Sequence, residues 1–139
     1  MKYMIRHIDD IKQPQDKIYF ALQALHPLRL EEALGLQWAD IDLDNMSLHI
    51  RRAVTHPTRN QPEIKVPKTK SSMRVIGLSA LAAKHLVPGN STDFVIGGAK
   101  PLSFTQVRRM CNRIQKDIGF DERITPIRFR TTVLTDLYN

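Results

Sequence analysis

Residues 28–42 read LRLEEALGLQWADID, and the order of residue types in this stretch decides the architecture around it. A short helix is predicted from about Leu28 to Gln37, with Arg29 at its start. Leu30, Ala33 and Leu34 recur at spacings of three and four and form its inward face, with Glu31 outward. Glu32 lies one turn after Arg29, where an i, i+3 acid and base can pair directly. Leu34, Leu36 and Trp38 are expected in the core. Asp40, Asp42, Asp44 and Asn45 then read as a polar turn.

Upstream, Pro14 and Asp16 start a helix whose Ile18, Ala21, Leu22 and Leu25 share one face. His26-Pro27 stops it, because the residue before a proline avoids helical backbone. Downstream, Met46, Leu48 and Ile50 alternate with Ser47, His49 and Arg51 and predict a strand buried on one side. A polar loop holding Pro57, Asn60 and Pro62 follows, then two short strands at Ile64–Pro67 and Arg74–Leu78. Lys68-Thr69-Lys70-Ser71-Ser72 is the turn between them, and connections this brief imply antiparallel pairing.

Ser79 is a suitable N-cap for a helix over Ala80–Leu86, ended by Pro88-Gly89, and Asp93–Ile96 reads as a short extended segment. Ser103 and Gln106 form a capping box. Beyond it Phe104, Val107, Met110, Cys111, Ile114 and Ile118 make an apolar stripe that stops at Gly119. Arg108, Arg109, Asn112, Arg113 and Lys116 lie mostly off that stripe. Thr125-Pro126 begins a last predicted helix, Ile127 to about Tyr138.

The 139 residues are 42% apolar and 25% charged, which suits one folded domain and excludes disorder as the main state. Twenty-one lysines and arginines face fourteen acids, a net charge of +7 with a pI near 9.9. Such a surplus fits a polyanionic partner, nucleic acid before an anionic membrane. It is concentrated: residues 51–74 carry seven basic groups against Glu63 alone, and residues 108–130 carry seven against three acids. Two such blocks predict one positive face built from distant segments.

The single cysteine, Cys111, excludes an internal disulfide and a cysteine-based zinc site, and on the apolar stripe it reads as a buried thiol. His7, His26, His49, His56 and His85 are scattered without metal-ligand spacing. No nucleotide-cradling glycine loop or Gly-x-Ser-x-Gly elbow is present. Apolar runs such as Val75–Leu78 are far too short for a membrane span, and residues 1–12 lack a secretory signal's apolar core. The expectation is a soluble cytoplasmic chain that does not engage membranes.

Three boxes stand in a particular order: residues 28–42, residues 66–78 (VPKTKSSMRVIGL) and residues 124–132 (ITPIRFRTT). Together they resemble the catalytic domain of the tyrosine recombinase, or phage integrase, family, over roughly residues 14–138. The resemblance implies a mixed α/β (α+β) domain, mostly helical with a small three-stranded antiparallel sheet. Residues 1–13 would be a lead-in and 14–139 a partial catalytic domain. It implies double-stranded DNA as partner and strand exchange through a 3′-phosphotyrosyl link, with no metal and no other cofactor. By position Arg29 and Arg130 match the two catalytic arginines that brace the scissile phosphate. Lys68 matches the hairpin lysine that protonates the leaving oxygen, with Lys70 as its rival, and Glu32 matches the acid that steadies the first arginine. Arg51, Lys65, Lys70, Arg74, Arg108 and Arg109 are the candidate DNA-binding side chains of the basic blocks.

The chain departs from the family pattern at named positions. Ile127 stands where the second arginine's box normally opens with histidine, and His26-Pro27 replaces a glycine before the first. The family's nucleophilic tyrosine lies well downstream of the second arginine, whereas Tyr138 follows Arg130 closely and reads as structural. A DNA-clamping N-terminal domain is also missing from the 139 residues. The expectation is therefore a recombinase fragment, inactive alone and monomeric in solution, from a parent that oligomerises on DNA. A non-catalytic DNA-binding remnant is the main alternative. A basic scaffold or RNA-associated protein is a third, disfavoured because no aromatics interleave with the basic runs.

Overall fold

A computed structural model describes residues 3–66, 73–120, 124–126 and 128–129. The chain starts with α1 (Tyr3–Arg6), makes a 3-10 turn at Ile8–Asp10 and enters α2 (Pro14–Leu25). Pro14 takes the first turn of α2, where a missing N–H leaves no bond unmade. From Ile18 to Ala24 this helix is buried nearly all round, which makes it the central rod of the core. Ile5, Ile8 and Ile11 bury beside it, so the lead-in before residue 14 contributes to the same core.

α3 (Leu30–Gly35) is shorter than the predicted 28–37. Leu36 has already turned to extended backbone, and Leu36 to Asp40 continue into a 3-10 turn at Trp38–Asp40. Gly35 ends α3 against the next layer: a Cβ there would lie 2.7 Å from the carbonyl oxygen of Arg52 and 3.1 Å from Cα of Ala53. Leu34 and Leu36 are buried as expected, while Trp38 is half-buried.

Among the described residues five strands follow: β1 (Ile41–Asp42), β2 (Ser47–Ile50), β3 (Ala53–Thr58), β4 (Gln61–Lys65) and β5 (Arg74–Gly77). The three-stranded antiparallel sheet exists in the order β1-β2-β5, but its membership differs from the prediction. Residues 41–42, read as part of a polar turn, pair with β2, and the turn tightens to residues 43–46 with Asp42 accepting the Asn45 N–H at 3.0 Å. Residues 53–58, read as loop, form β3 and pair with β4 in a separate two-stranded ladder. Ile64 therefore faces Val54 there and is not in the three-stranded sheet. Pro57 hid this hairpin: it lies where the register shifts between Thr55 and Thr58, so its missing N–H interrupts no regular pair.

α4 (Ala80–Ala83) stops before the predicted Leu86, and of the extended segment at 93–96 only Phe94 forms isolated bridges, to Gln37 and Gly98. α5 (Phe104–Ile118) matches its prediction at both ends. Ser103 accepts the Gln106 N–H and Gln106 returns the bond, while Gly119 closes the helix at φ 70°, a left-handed value natural for glycine. Val107, Met110, Cys111, Ile114 and Ile118 bury the stripe, and Phe104 leaves it to meet the hairpin. Of the predicted helix at 127–138 only residues 128 and 129 are described, and the lysine turn at 68–72 lies outside the described residues.

α2 and α5 are joined by an ion pair across 97 positions. Asp16, with no exposed side-chain surface, accepts Nε and Nη2 of Arg113 at 2.9 and 2.8 Å. Arg113→Ala leaves that carboxylate buried without a partner and should cost about 3 kcal/mol in urea unfolding. A loss below about 1 kcal/mol would mean that the clamp is dispensable. Gly35→Ala pushes a methyl into main chain that cannot swing aside, so we expect about 1–3 kcal/mol of destabilisation by the same measurement.

Candidate functional site

The turn that delivers Arg29 is bonded at every peptide. Pro27 forces α2 to end, and His26 leaves it in extended backbone. The His26 carbonyl accepts the Leu28 N–H at 2.8 Å, and the Leu28 carbonyl accepts Nε2 of Gln23 at 3.0 Å. The Pro27 carbonyl accepts Nη2 of Arg74 at 3.0 Å, and the Arg29 carbonyl accepts the Ala33 N–H at 3.0 Å. Four successive carbonyls thus have donors, two of them from side chains. Arg29 itself sits at the N-cap of α3, exposed, and among the described residues its guanidinium makes no hydrogen bond or ion pair.

Glu32 does not hold the Arg29 guanidinium as the i, i+3 spacing suggested. Its Oε1 accepts the Arg29 main-chain N–H at 3.0 Å, and both carboxylate oxygens face Arg74, at 2.6 and 2.9 Å. That contact with Arg74 holds the Glu32 carboxyl below the usual carboxylate range. The strand register brings the two together: Arg74 of β5 lies opposite Ile50 of β2, and its partly exposed side chain reaches Glu32 of α3.

Other basic candidates divide sharply. Arg51 and Arg52 both bond to Asp40, which is buried beneath them and also caps the Gln37 N–H. Arg52 further donates to the Gly35 carbonyl at 3.0 Å. Arg59 stacks over Phe104 at 5.6 Å, with its carbonyl on the Phe104 N–H, and docks the tip of the β3–β4 hairpin on α5. Lys65 makes an exposed pair with Glu63 at 3.1 Å. Arg108 and Arg109 are exposed on α5 with no acid partner among the described residues, and Arg109 borders a 230 Å³ cleft shared with Gln15 and Gln106. Lys68, Lys70, Ile127, Arg130 and Tyr138 lie outside the described residues. The structure thus groups Arg29, Glu32 and Arg74, and no described bond links them to Arg108 or Arg109. Cys111 is fully buried with its thiol pushed up to about 12, mainly by burial, so it is no nucleophile.

His26 ties this turn to α4. Its Nε2 accepts the Ser79 N–H at 3.0 Å, so Nδ1 must carry the proton it gives to the Leu22 carbonyl, also at 3.0 Å. A doubly protonated ring could not accept from Ser79, and burial lowers the His26 pKa below the ordinary 6.5. Below pH 6.5 the unfolded chain binds the extra proton more readily than the folded one. The stabilisation is therefore complete above about pH 6.5 and fades as pH falls towards the folded value. We expect the urea midpoint to drop between pH 7 and 5, with a shallower drop in His26→Gln. Some slope should persist, because burial also lowers the His85 pKa.

Comparison with known proteins bears on the family and the fold. The phage integrase family model matches residues 1–139. A search of curated proteins gives no match. Among solved structures, the Tn1549 transposon integrase in complex with a circular intermediate DNA has a TM-score of 0.69 at 18% identity, covering 97% of this chain and 51% of that one. The same integrase with transposon right end DNA gives 0.60 at 18% identity, covering 97% and 51%. The XerA recombinase gives 0.61 at 15% identity, covering 98% and 48%. At such identities the likeness is one of fold, and the chain spans about half the length of these integrases. The family pattern nevertheless runs the length of all 139 residues, over an α+β fold shared with solved recombinases, and this chain belongs to the phage integrase family.

Proposed function

We propose that residues 14–139 form part of a recombinase catalytic domain that binds duplex DNA in the cytoplasm. Within a longer enzyme this part breaks and rejoins strands. The observation that supports this most is Arg29, presented on a fully bonded turn with its guanidinium unclaimed among the described residues. A scissile phosphodiester gathers charge on its non-bridging oxygens as a nucleophile adds to phosphorus. A fork-shaped, permanently charged guanidinium meets two such oxygens at once.

In this reading Arg29 and Arg130 brace the phosphate, and Lys68, or its neighbour Lys70, protonates the departing 5′ oxygen. A tyrosine of the longer enzyme supplies the nucleophile: its oxygen bonds to phosphorus as the bond to the 5′ oxygen breaks, leaving a 3′-phosphotyrosyl link and a 5′-hydroxyl. Arg108, Arg109 and Lys65 add contacts to the duplex backbone, with fewer donors left over from Arg51. The longer enzyme assembles on DNA, while residues 1–139 are monomeric in solution.

Fluorescence anisotropy with a labelled duplex between 50 and 200 mM salt tests the binding. Affinity should fall steeply with salt, and Arg29→Ala should flatten the log–log slope by about 0.9, the share of one phosphate contact. Absence of salt-sensitive binding would remove DNA as the partner. With a suicide duplex, the 139-residue polypeptide should form no covalent adduct. An adduct that disappears in Tyr138→Phe would make Tyr138 the nucleophile.

A further inference from the structure

We infer that Arg74 is a positioning residue that keeps the Arg29 guanidinium available to a phosphate by holding Glu32 away from it. This rests on the proposed phosphate-binding role of Arg29 and assigns the neighbouring cation a different task. Arg74 lies in the basic block and would ordinarily be counted as a DNA contact. Three of its hydrogen bonds are already made inside the protein, two to the Glu32 carboxylate at 2.6 and 2.9 Å and one to the Pro27 carbonyl at 3.0 Å. The first two take both Glu32 oxygens, and the third pins the peptide two residues before Arg29.

Without Arg74 the balance around Glu32 changes. The carboxylate stays one turn from Arg29, with Oε1 already on its N–H, and Arg29 is the cation left within reach. An i, i+3 pair would then form and the guanidinium would be spent on Glu32. Arg74 prevents this by offering a bidentate fork, the stronger of the two geometries. Two cations and one acid thus leave one cation uncommitted, and β5 decides which. Lysine cannot reproduce the fork, so charge alone is insufficient at position 74.

A double-mutant cycle on duplex binding separates this from direct contact. Arg74→Gln should weaken binding about tenfold and flatten the salt slope as Arg29→Ala does. In the Arg29→Ala background the same change should cost almost nothing, and Arg74→Lys should also weaken binding in the wild-type background. Adding Glu32→Gln to Arg74→Gln should restore most of the affinity, since the competitor acid is gone. Equal losses from Arg74→Gln with and without Arg29, together with full binding by Arg74→Lys, would overturn the assignment and make Arg74 a phosphate contact. Near-ultraviolet circular dichroism identifies any variant that merely fails to fold.

Should the wild-type chain not bind duplex at all, the DNA reading fails while the inference is still decided by NMR without ligand. Exchange of the Arg29 Nε–H with water should slow in Arg74→Gln and recover when Glu32→Gln is added. No change in that exchange would sink the positioning role.

Discussion

A carboxylate taken out of water without a cation costs several kcal/mol, and this chain meets that constraint with arginines drawn from distant segments. Asp16 of α2 is matched by Arg113 of α5, Asp40 by Arg51 and Arg52, and Glu32 of α3 by Arg74 of β5. The same pairs occupy donors of four arginines, although Arg51, Arg74 and Arg113 stay partly exposed. The +7 composition therefore overstates how many donors are available to a partner, and the cations still unclaimed among the described residues include Arg29, Arg108 and Arg109.

The second organising feature is the density of bonds around residues 26–29. A segment between two helices usually has peptide groups facing water, and this one has each carbonyl taken. Three donors come from separate places: Gln23 one turn back in α2, Arg74 in β5, and Ala33 ahead in α3. His26 adds a fourth tie, from the end of α2 to the start of α4. Charge placed on such a turn meets its target without first paying to order the chain.

Much of the helical frame was legible because it follows local rules. Pro14 and the apolar spacing marked α2, and the Ser103–Gln106 box with Gly119 marked both ends of α5. Arg29 and Glu32 were legible as neighbours on one face, but the sequence offered no view of a third party competing for Glu32. Arg74 stands 42 positions away, and Arg113 stands 97 from Asp16, beyond any periodicity. The β3–β4 hairpin escaped for a different reason. Its strands contain Pro57 and Pro62, and its outer side chains, Ile64 among them, stay exposed, so neither alternation nor continuous burial marks it. Local chemistry read well, and pairing across the chain did not.

The Asp16–Arg113 clamp has a bearing on how the chain folds as it is made. α2 can coil as soon as its residues emerge from the ribosome, but its face carries an acid whose neutralising partner is still to be translated. During synthesis Asp16 therefore stays without this partner until residue 113 clears the exit tunnel, so the α2–α5 contact can close only after 97 further residues are made.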